Sequence, residues 1–146
     1  MKEATFQTMW RHFLEENPPN QMEVYELKLC KTNRFPFSAV KDHQIEGLKM
    51  ALSGLFHKIS DSPIFAGQKT RFTAKKPFDC LWIKANAYVC IMYYIPRKRK
   101  QVVKISLSGF MQLKHTLEVR SITFAEFLKF KEIMPSEITI INLGRK

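Results

Sequence analysis

The sequence predicts a mixed α/β domain, in which a central mixed sheet is flanked by helices. Segments with apolar residues every three or four positions alternate with segments rich in β-branched and aromatic residues, as helices and strands do. With 146 residues, 45% of them hydrophobic, the chain can form one domain, assigned to residues 1–146. No apolar run reaches the roughly 18–20 residues that would cross a bilayer, so no membrane contact is expected.

The first two elements carry the clearest patterns. Residues 4–16 are predicted to form a helix because apolar residues such as Phe6 and Trp10 fall on one face. The prolines of "NPPN" at 17–20 end that helix, since proline cannot continue its hydrogen bonds. Residues 22–30 alternate in polarity and are predicted to form a strand.

The later elements follow from the same two periodicities and from turn residues. Two apolar strands joined by the short "ANA" link are expected to pair as a hairpin, and four cations should occupy a turn after them. In chain order these elements are a helix 38–57, a strand 56–60, a loop 61–76, strands 78–84 and 88–95, a turn 96–100, a strand 101–107, a helix 124–134 and a strand 137–143.

Charge gives the first indication of function. The chain has 24 Lys and Arg against 13 Asp and Glu, a net charge of +11. Residues 1–30 hold three basic and five acidic residues, so the positive charge lies in the rest of the chain. A basic surface of this size favours a polyanion, most often nucleic acid, over a protein that is merely soluble and basic.

The three cysteines indicate the compartment. Cys30, Cys80 and Cys90 are odd in number, widely spaced and placed in apolar runs. This pattern predicts buried free thiols in a reducing, cytoplasmic environment, and neither a disulfide framework nor a zinc site.

The strand 22–30 carries one E-x-K pattern, Glu26 and Lys28. Residues two apart in a strand point to the same side, so these two charges share a face while Tyr25 and Leu27 share the other. Alone, the pattern is typical of the solvated face of an edge strand. The alternative is that the strand carries chemistry.

Asp79 is the candidate for a second carboxylate. It is one of three aspartates, and it opens an apolar strand in "KPFDCLWIK", where an unpaired charge is costly. If that strand lies near residues 22–30, Asp79 and Glu26 could share Mg²⁺ or Mn²⁺, with Lys28 beside a bound phosphate. A turn or cap role is the other interpretation of Asp79.

The segment "YELKLCKTNRFPFSAVKDHQIEGL" resembles the core of Holliday-junction resolvases of the Hjc and RecU type, within the PD-(D/E)XK nuclease superfamily. The shared features are E-x-K on a strand, a loop with a "PFS" turn and a helix that opens with "HQI". The segment "FHKISD…KPFDCLWIKANAYVCIMYYI" is similar to phage-type members, so the resemblance covers roughly residues 22–95. It implies a restriction-endonuclease-like fold, a metal-dependent nuclease, a homodimer and a branched DNA substrate.

The resemblance also implies residue roles. Glu26 and Lys28 match the E-x-K pair, Gln44 matches a glutamine that faces the site, and Glu3 matches an acidic residue of the first helix. The usual pattern places its aspartate before E-x-K, whereas no aspartate precedes Asp42 here. Three explanations stay open: Asp79 fills the metal position, an N-terminal acid does so, or the site is catalytically inactive. The N-terminal acids are Glu15, Glu16 and Glu23.

Basic residues near these segments are predicted to contact the DNA backbone, which fixes position without reading sequence. These residues are Lys31, Arg34, Lys41, Lys75, Lys76, Arg97, Lys98, Arg99 and Lys100. The predicted function is therefore resolution of four-way DNA junctions. The alternatives are a nicking or repair nuclease of the same fold and a DNA-binding protein without catalysis.

Overall fold

In the computed structural model of the chain, residues 1–58 and 80–144 are described, and of residues 55–58 and 80–83 only the backbone. None of the helices in this part of the chain is long and apolar enough to cross a membrane. The helices are α1 (Glu3–Glu16), α2 (Asp42–Ser53), α3 (Leu107–Thr116) and α4 (Phe124–Ile133). The strands are β1 (Glu23–Cys30), β2 (Arg34–Pro36), β3 (Leu55–Lys58), β4 (Cys80–Ile83), β5 (Asn86–Tyr93), β6 (Lys100–Ser106), β7 (Ser121–Thr123) and β8 (Ile138–Leu143).

The main sheet has four strands in the order β1-β5-β6-β8. β1 and β5 are parallel, with α2 in the connection between them, whereas β6 lies between β5 and β8 and is antiparallel to both. Two small antiparallel pairs, β2 with β7 and β3 with β4, complete the described sheets. The predicted mixed α/β class, with helices flanking a mixed sheet, is confirmed.

The sheet separates two layers of core. On one face, Phe6 and Trp10 of α1 pack against Cys90, Met92 and Val102. The other face is larger and is covered by α2, α3 and α4. Its buried residues include Ile45 and Leu48 of α2, Phe110 of α3 and Phe127 of α4, together with Val89 and Ile91 of β5. Alternate side chains of β1 therefore point into two different layers.

Two of the three cysteines are described as buried free thiols. Cys30 and Cys90 have 4% and 0% of their surface exposed. Burial raises the pKa of Cys90 above its ordinary value, so the thiol stays protonated and unreactive. The prediction of free buried thiols is confirmed for these two residues, and the side chain of Cys80 lies outside the described part.

The predicted hairpin between strands 78–84 and 88–95 is wrong. β4 pairs with β3, and β5 pairs with β1 and β6. The backbone N–H of Ala85 donates to Ala51 and that of Asn86 donates to Met22, at 2.9 and 3.0 Å. These bonds carry the chain past the end of α2 into the main sheet, and "ANA" lacks the glycine that tight hairpin turns favour.

The helix α3 was not predicted. It begins after Ser106, whose hydroxyl accepts a hydrogen bond from Gly109 N–H at 3.1 Å, and it buries Phe110 and Leu113. Gly109 lowers the helix propensity of the segment. A Cβ at this position would lie 3.1 Å from the Cβ of Glu137, so close packing accounts for the glycine.

The predicted helix 38–57 is shorter than expected. A single turn of 3₁₀ helix, Phe37–Ala39, precedes α2, which begins at Asp42. The helix ends before Gly54, whose φ of 96° lies in the left-handed region that glycine adopts without strain. β3 therefore begins at Leu55, one residue earlier than the sequence suggests.

Candidate active site

Glu26 and Lys28 lie together on the face of β1 that is covered by α2. Their pairing partners on β5 are Val89 and Ile91, which belong to the larger core layer. An oxygen of the Glu26 carboxylate lies 3.4 Å from Nζ of Lys28. The prediction that these two charges share a face of the strand is confirmed.

The pair lies at the boundary between the core and solvent. Only 25% of the Glu26 side chain and 16% of the Lys28 side chain are exposed, and Val89 and Ile91 beside them are fully buried. Apolar neighbours screen charge less than water does, so a cation or phosphate oxygen held here would interact more strongly than at an exposed site. β1 is the outermost strand of the described four-stranded sheet, so the pair is close to a sheet edge.

Three residues of the predicted site cannot be placed against this pair. Asp79, Lys75 and Lys76 lie outside the described residues, and the first position described after them is Cys80 of β4. Within residues 1–58 and 80–144, no group of three or more His, Cys, Asp or Glu side chains is arranged to hold a metal ion. The assignment of Asp79 as a metal ligand therefore stays a prediction.

The N-terminal acids are not brought together with Glu26. Glu3 and Glu15 lie on α1, which packs on the opposite face of the sheet, and both are exposed. Glu15 is paired on its own helix with Arg11 and His12. Glu16 also belongs to α1, and the Glu23 side chain points to the α1 side.

Glu23 forms a second glutamate–lysine pair on that opposite face, one that sequence analysis did not identify. Its carboxylate lies 2.9 Å from Nζ of Lys104 and also accepts a hydrogen bond from the Tyr25 hydroxyl. Nζ of Lys104 lies 4.2 Å from the centre of the Tyr88 ring. Burial alone would raise the pKa of Glu23, but hydrogen bonds from Tyr25 and Lys104 outweigh it and hold that pKa below its ordinary value.

Gln44 has a local structural role at the start of α2. Its side-chain oxygen accepts a hydrogen bond from the backbone N–H of Lys41 at 2.8 Å. This contact is the reciprocal half of a capping box and satisfies a donor that the helix leaves free. Among the described residues, no hydrogen bond joins Gln44 to Glu26 or Lys28, so the catalytic role implied by the resemblance stays a prediction.

Two substitutions at Gln44 separate capping from catalysis. Gln44→Ala removes the cap and is expected to lower stability by about 0.5–2 kcal/mol. Gln44→Glu keeps an oxygen that accepts from Lys41, so its melting temperature should match wild type. If the amide also serves the site, Gln44→Glu should cleave DNA roughly 10- to 100-fold more slowly at that unchanged melting temperature. A wild-type rate would limit Gln44 to capping.

Most of the described basic residues that are predicted to contact DNA are exposed to solvent. Pro96 and Arg97 form the turn between β5 and β6, with Lys98 N–H donating to Ile95 at 3.2 Å and Arg97 at a φ of 64°. The compact cationic turn is confirmed at residues 96–99, whereas Lys100, which was predicted to belong to it, is the first residue of β6. In this turn Arg97, Lys98 and Arg99 are exposed, while Lys100 is half-buried. Lys31, directly after β1, and Lys41, directly before α2, are also exposed.

Arg34 differs from the other basic residues because its guanidinium is already engaged. It donates hydrogen bonds to the hydroxyl and carbonyl oxygens of Ser121 at 2.9 and 3.1 Å. It also lies 3.5 Å from the Glu126 carboxylate. These contacts hold β2 to β7 and to α4, so Arg34 has fewer donors left for phosphate than the exposed cations.

Comparison with known proteins adds no family to this geometry. No protein-family model matches the chain. No curated protein and no solved structure is significantly similar to it. The resemblance to Holliday-junction resolvases therefore stays an expectation drawn from the sequence.

Proposed function

We propose that the chain is a Mg²⁺- or Mn²⁺-dependent endonuclease that hydrolyses phosphodiesters in branched DNA, as a Holliday-junction resolvase does. The observation that carries this proposal is the half-buried Glu26–Lys28 pair, 3.4 Å apart on one face of β1. The pair occurs in a chain with a net charge of +11, which suits a polyanionic substrate.

Burial argues against an ordinary surface ion pair at this position. The exposed pair Glu46–Lys49 on α2 has 66% and 51% of its side chains exposed, against 25% for Glu26 and 16% for Lys28. An exposed pair contributes little to stability, whereas a half-buried pair must recover the cost of removing two charges from water.

The Glu23–Lys104 pair is buried to a similar extent, with 12% and 19% of its side chains exposed, but Glu23 accepts hydrogen bonds from Tyr25 and Lys104. In the described part of the chain no hydrogen bond engages the Glu26 carboxylate, which leaves it available to a metal ion.

The donor set fits a hard divalent cation that is held partly by substrate. Mg²⁺ is commonly bound through one or two carboxylates, waters and substrate phosphates. Glu26 supplies one such carboxylate, and Asp79 is the proposed second. When bound, the ion would supply a Lewis acid and lower the pKa of a bound water.

Lys28 is proposed to act on the reacting phosphate. Its ammonium can donate hydrogen bonds to a phosphate oxygen or to the attacking water, and it offsets the negative charge that develops there. In the reaction, the water gives up a proton as its oxygen bonds to phosphorus. The bond from phosphorus to the sugar oxygen of the departing strand breaks, and that oxygen takes up a proton, which leaves one phosphate end and one hydroxyl end. The apolar neighbours Val89 and Ile91 limit the screening of Lys28 by solvent.

Selection of a branched substrate is proposed to come from shape. The exposed cations of the β5–β6 turn, with Lys31 and Lys41, can contact phosphates without reading bases. A four-way junction is close to two-fold symmetric, so a symmetric homodimer would present two copies of the site for paired cuts.

The test is cleavage of a synthetic four-way junction beside a linear duplex of the same sequence. In Mg²⁺, wild-type protein should make paired nicks in opposite strands of the junction and leave the duplex intact. Equal cutting of the duplex would instead indicate a nicking or repair nuclease. Junction binding without cleavage in either Mg²⁺ or Mn²⁺ would indicate a DNA-binding protein without catalysis.

A further inference from the structure

An open groove lies where the carboxyl ends of β1 and β5 meet the start of α4. It encloses about 590 Å³ and is lined by the loop 31–33, by Tyr93–Pro96 and by Thr123–Ala125. A second recess of about 260 Å³ shares the side chains Tyr93, Ile95 and Phe124 and continues to Lys98 and Arg99. The two recesses are called here the aromatic groove.

The floor of the aromatic groove is apolar and well packed. The Tyr93 ring is 7% exposed, and its hydroxyl donates a hydrogen bond to the Ile122 carbonyl at 2.9 Å. The Phe124 ring meets Tyr93 edge to face, with ring centres 5.8 Å apart. Beside these rings, Tyr94 and Phe124 are only half-buried and Ile95 is 53% exposed, so flat apolar surface faces solvent.

The rim of the aromatic groove is cationic. Lys31, Lys98 and Arg99 are exposed along it. None of the described residues that line the two recesses is acidic, and the nearby carboxylate of Glu126 is paired with Arg34 at 3.5 Å. Aromatic surface bordered by cations is complementary to nucleobases that are joined by phosphates.

We propose that the aromatic groove binds unpaired nucleotides of a DNA strand, with bases stacked beside Tyr94 and Phe124 and phosphates held by Lys31, Lys98 and Arg99. In a duplex the base faces are covered by their neighbours, so such a groove selects strands that are locally unpaired. An uncharged partner, or a peptide without acidic residues, would leave the three cations without counter-charge. A nucleic acid strand supplies both the negative charge and the flat rings that match the exposed aromatic surface, which favours it as the occupant.

The aromatic groove lies close to Lys28, so strand binding there would bear on cleavage. This step rests on the proposed nuclease function. Lys31 follows Lys28 by three residues and is the first residue after β1, a separation of roughly 10 Å in an extended chain. Tyr93 also pairs with Cys30, on the same sheet face as the Glu26–Lys28 pair. Bases unpaired at a branch point would therefore place the adjoining strand beside the proposed reactive pair.

The experiment compares two labelled strands by fluorescence anisotropy with the full chain in EDTA. One is a thymidine oligonucleotide of about 12 nucleotides, and the other has the same backbone with its central bases removed. Wild type should bind the thymidine strand roughly 5- to 100-fold more tightly, because stacking needs the bases. Equal affinity for the two strands, or no binding of either, would overturn the proposal.

Matched variants locate the effect. Phe124→Leu and Tyr94→Leu keep an apolar side chain but remove a ring, so each should reduce the preference for the thymidine strand. Phe130→Leu makes the same change on α4 at a residue that packs on the core, and it should keep the preference. A preference that survives both groove substitutions would refute the assignment, and circular dichroism confirms that each variant is folded.

The two proposals fail in different measurements. Strand binding in EDTA needs no catalysis, whereas junction cleavage needs Glu26 and a metal ion. Loss of the base preference with cleavage intact would refute the aromatic groove alone. A clear base preference in a protein that never cuts junctions would refute the nuclease and leave the groove as a single-strand binding site.

Discussion

Glu26→Gln is expected to reduce Mg²⁺-dependent cleavage of a four-way junction by roughly 10³-fold. Glutamine has nearly the same shape, and its side-chain oxygen would take the place of the carboxylate oxygen that lies 3.4 Å from Nζ of Lys28. It carries no charge, so it holds a divalent cation far more weakly. The substitution also leaves the Lys28 side chain, which is only 16% exposed, without its carboxylate, so we expect a loss of about 1–3 kcal/mol of stability as well. The cleavage rates are therefore compared at a temperature where both proteins are folded.

The second glutamate–lysine pair on β1 provides the matched control. Glu23→Gln makes the same substitution on the same strand, but its partner Lys104 lies on the opposite face, 2.9 Å away. We expect this variant to lose about 1–3 kcal/mol of stability and to cleave at close to the wild-type rate below its melting temperature. A cleavage rate that falls equally in both variants would mean that loss of charge on β1 acts through folding.

The pH dependence of stability identifies Glu23 in the same variant. The folded-state pKa of Glu23 lies below its ordinary value of 4.5. Its stabilisation is therefore complete above that value and is lost as the pH falls toward the lower folded-state pKa. Glu23→Gln should consequently show a shallower loss of melting temperature below about pH 4.5 than wild type.

Asp79→Asn is expected to lower junction cleavage by roughly 10²- to 10³-fold, if Asp79 supplies the second metal-binding carboxylate. The loss should be partly recovered by raising the Mg²⁺ or Mn²⁺ concentration, because the substitution weakens metal binding more than it alters Lys28. Cleavage rates measured across a metal titration separate weaker binding from a slower chemical step.

Asp42→Asn is the control for this prediction. Asp42 is an exposed residue in the first turn of α2, and its substitution should leave the cleavage rate unchanged. It is expected to remove at most about 1 kcal/mol of favourable interaction with the helix dipole. Full activity in Asp79→Asn would refute the metal assignment. The alternative metal ligands Glu15 and Glu16 lie on α1, and Glu23 faces the α1 side of the sheet, so none of the three is brought together with Glu26.

Spacing along the chain was sufficient to predict features that depend on a single helix or strand. The alternation of residues 22–30 predicted both faces of β1, including the shared face of Glu26 and Lys28. The stripe of α1 predicted the burial of Phe6 and Trp10. In each case the spacing along the chain directly sets which way the side chains point.

Long-range contacts were not accessible in this way. The pairing of Glu23 with Lys104 joins residues 81 positions apart, and the contact of Arg34 with Ser121 spans 87 positions. The predicted hairpin was wrong because β5 pairs with β1, far along the chain, on one side and with β6 on the other, which leaves no edge for β4. The helix α3 was missed because Gly109 lowers the helix propensity of its segment. The reason for the glycine is its close packing against Glu137, which is a long-range contact.

The same limit applies to the candidate site. The E-x-K pattern was visible as two letters, but its partial burial, which distinguishes it from a solvated pair, depends on the core of β5 beneath it. The resemblance assigned the Gln44 side chain to the active site, and the same side chain caps α2, so the capping contact was not predicted. The aromatic groove joins three separate segments of the chain and has no sequence signature.

The most direct test of the central claim is the single-turnover rate at which wild type and Glu26→Gln cut a labelled four-way junction in Mg²⁺, with EDTA as the blank. We expect paired nicks by wild type, none in EDTA, and a rate roughly 10³-fold lower for Glu26→Gln. Cleavage by Glu26→Gln at the wild-type rate, or no cleavage by wild type in Mg²⁺ or Mn²⁺, would contradict the claim.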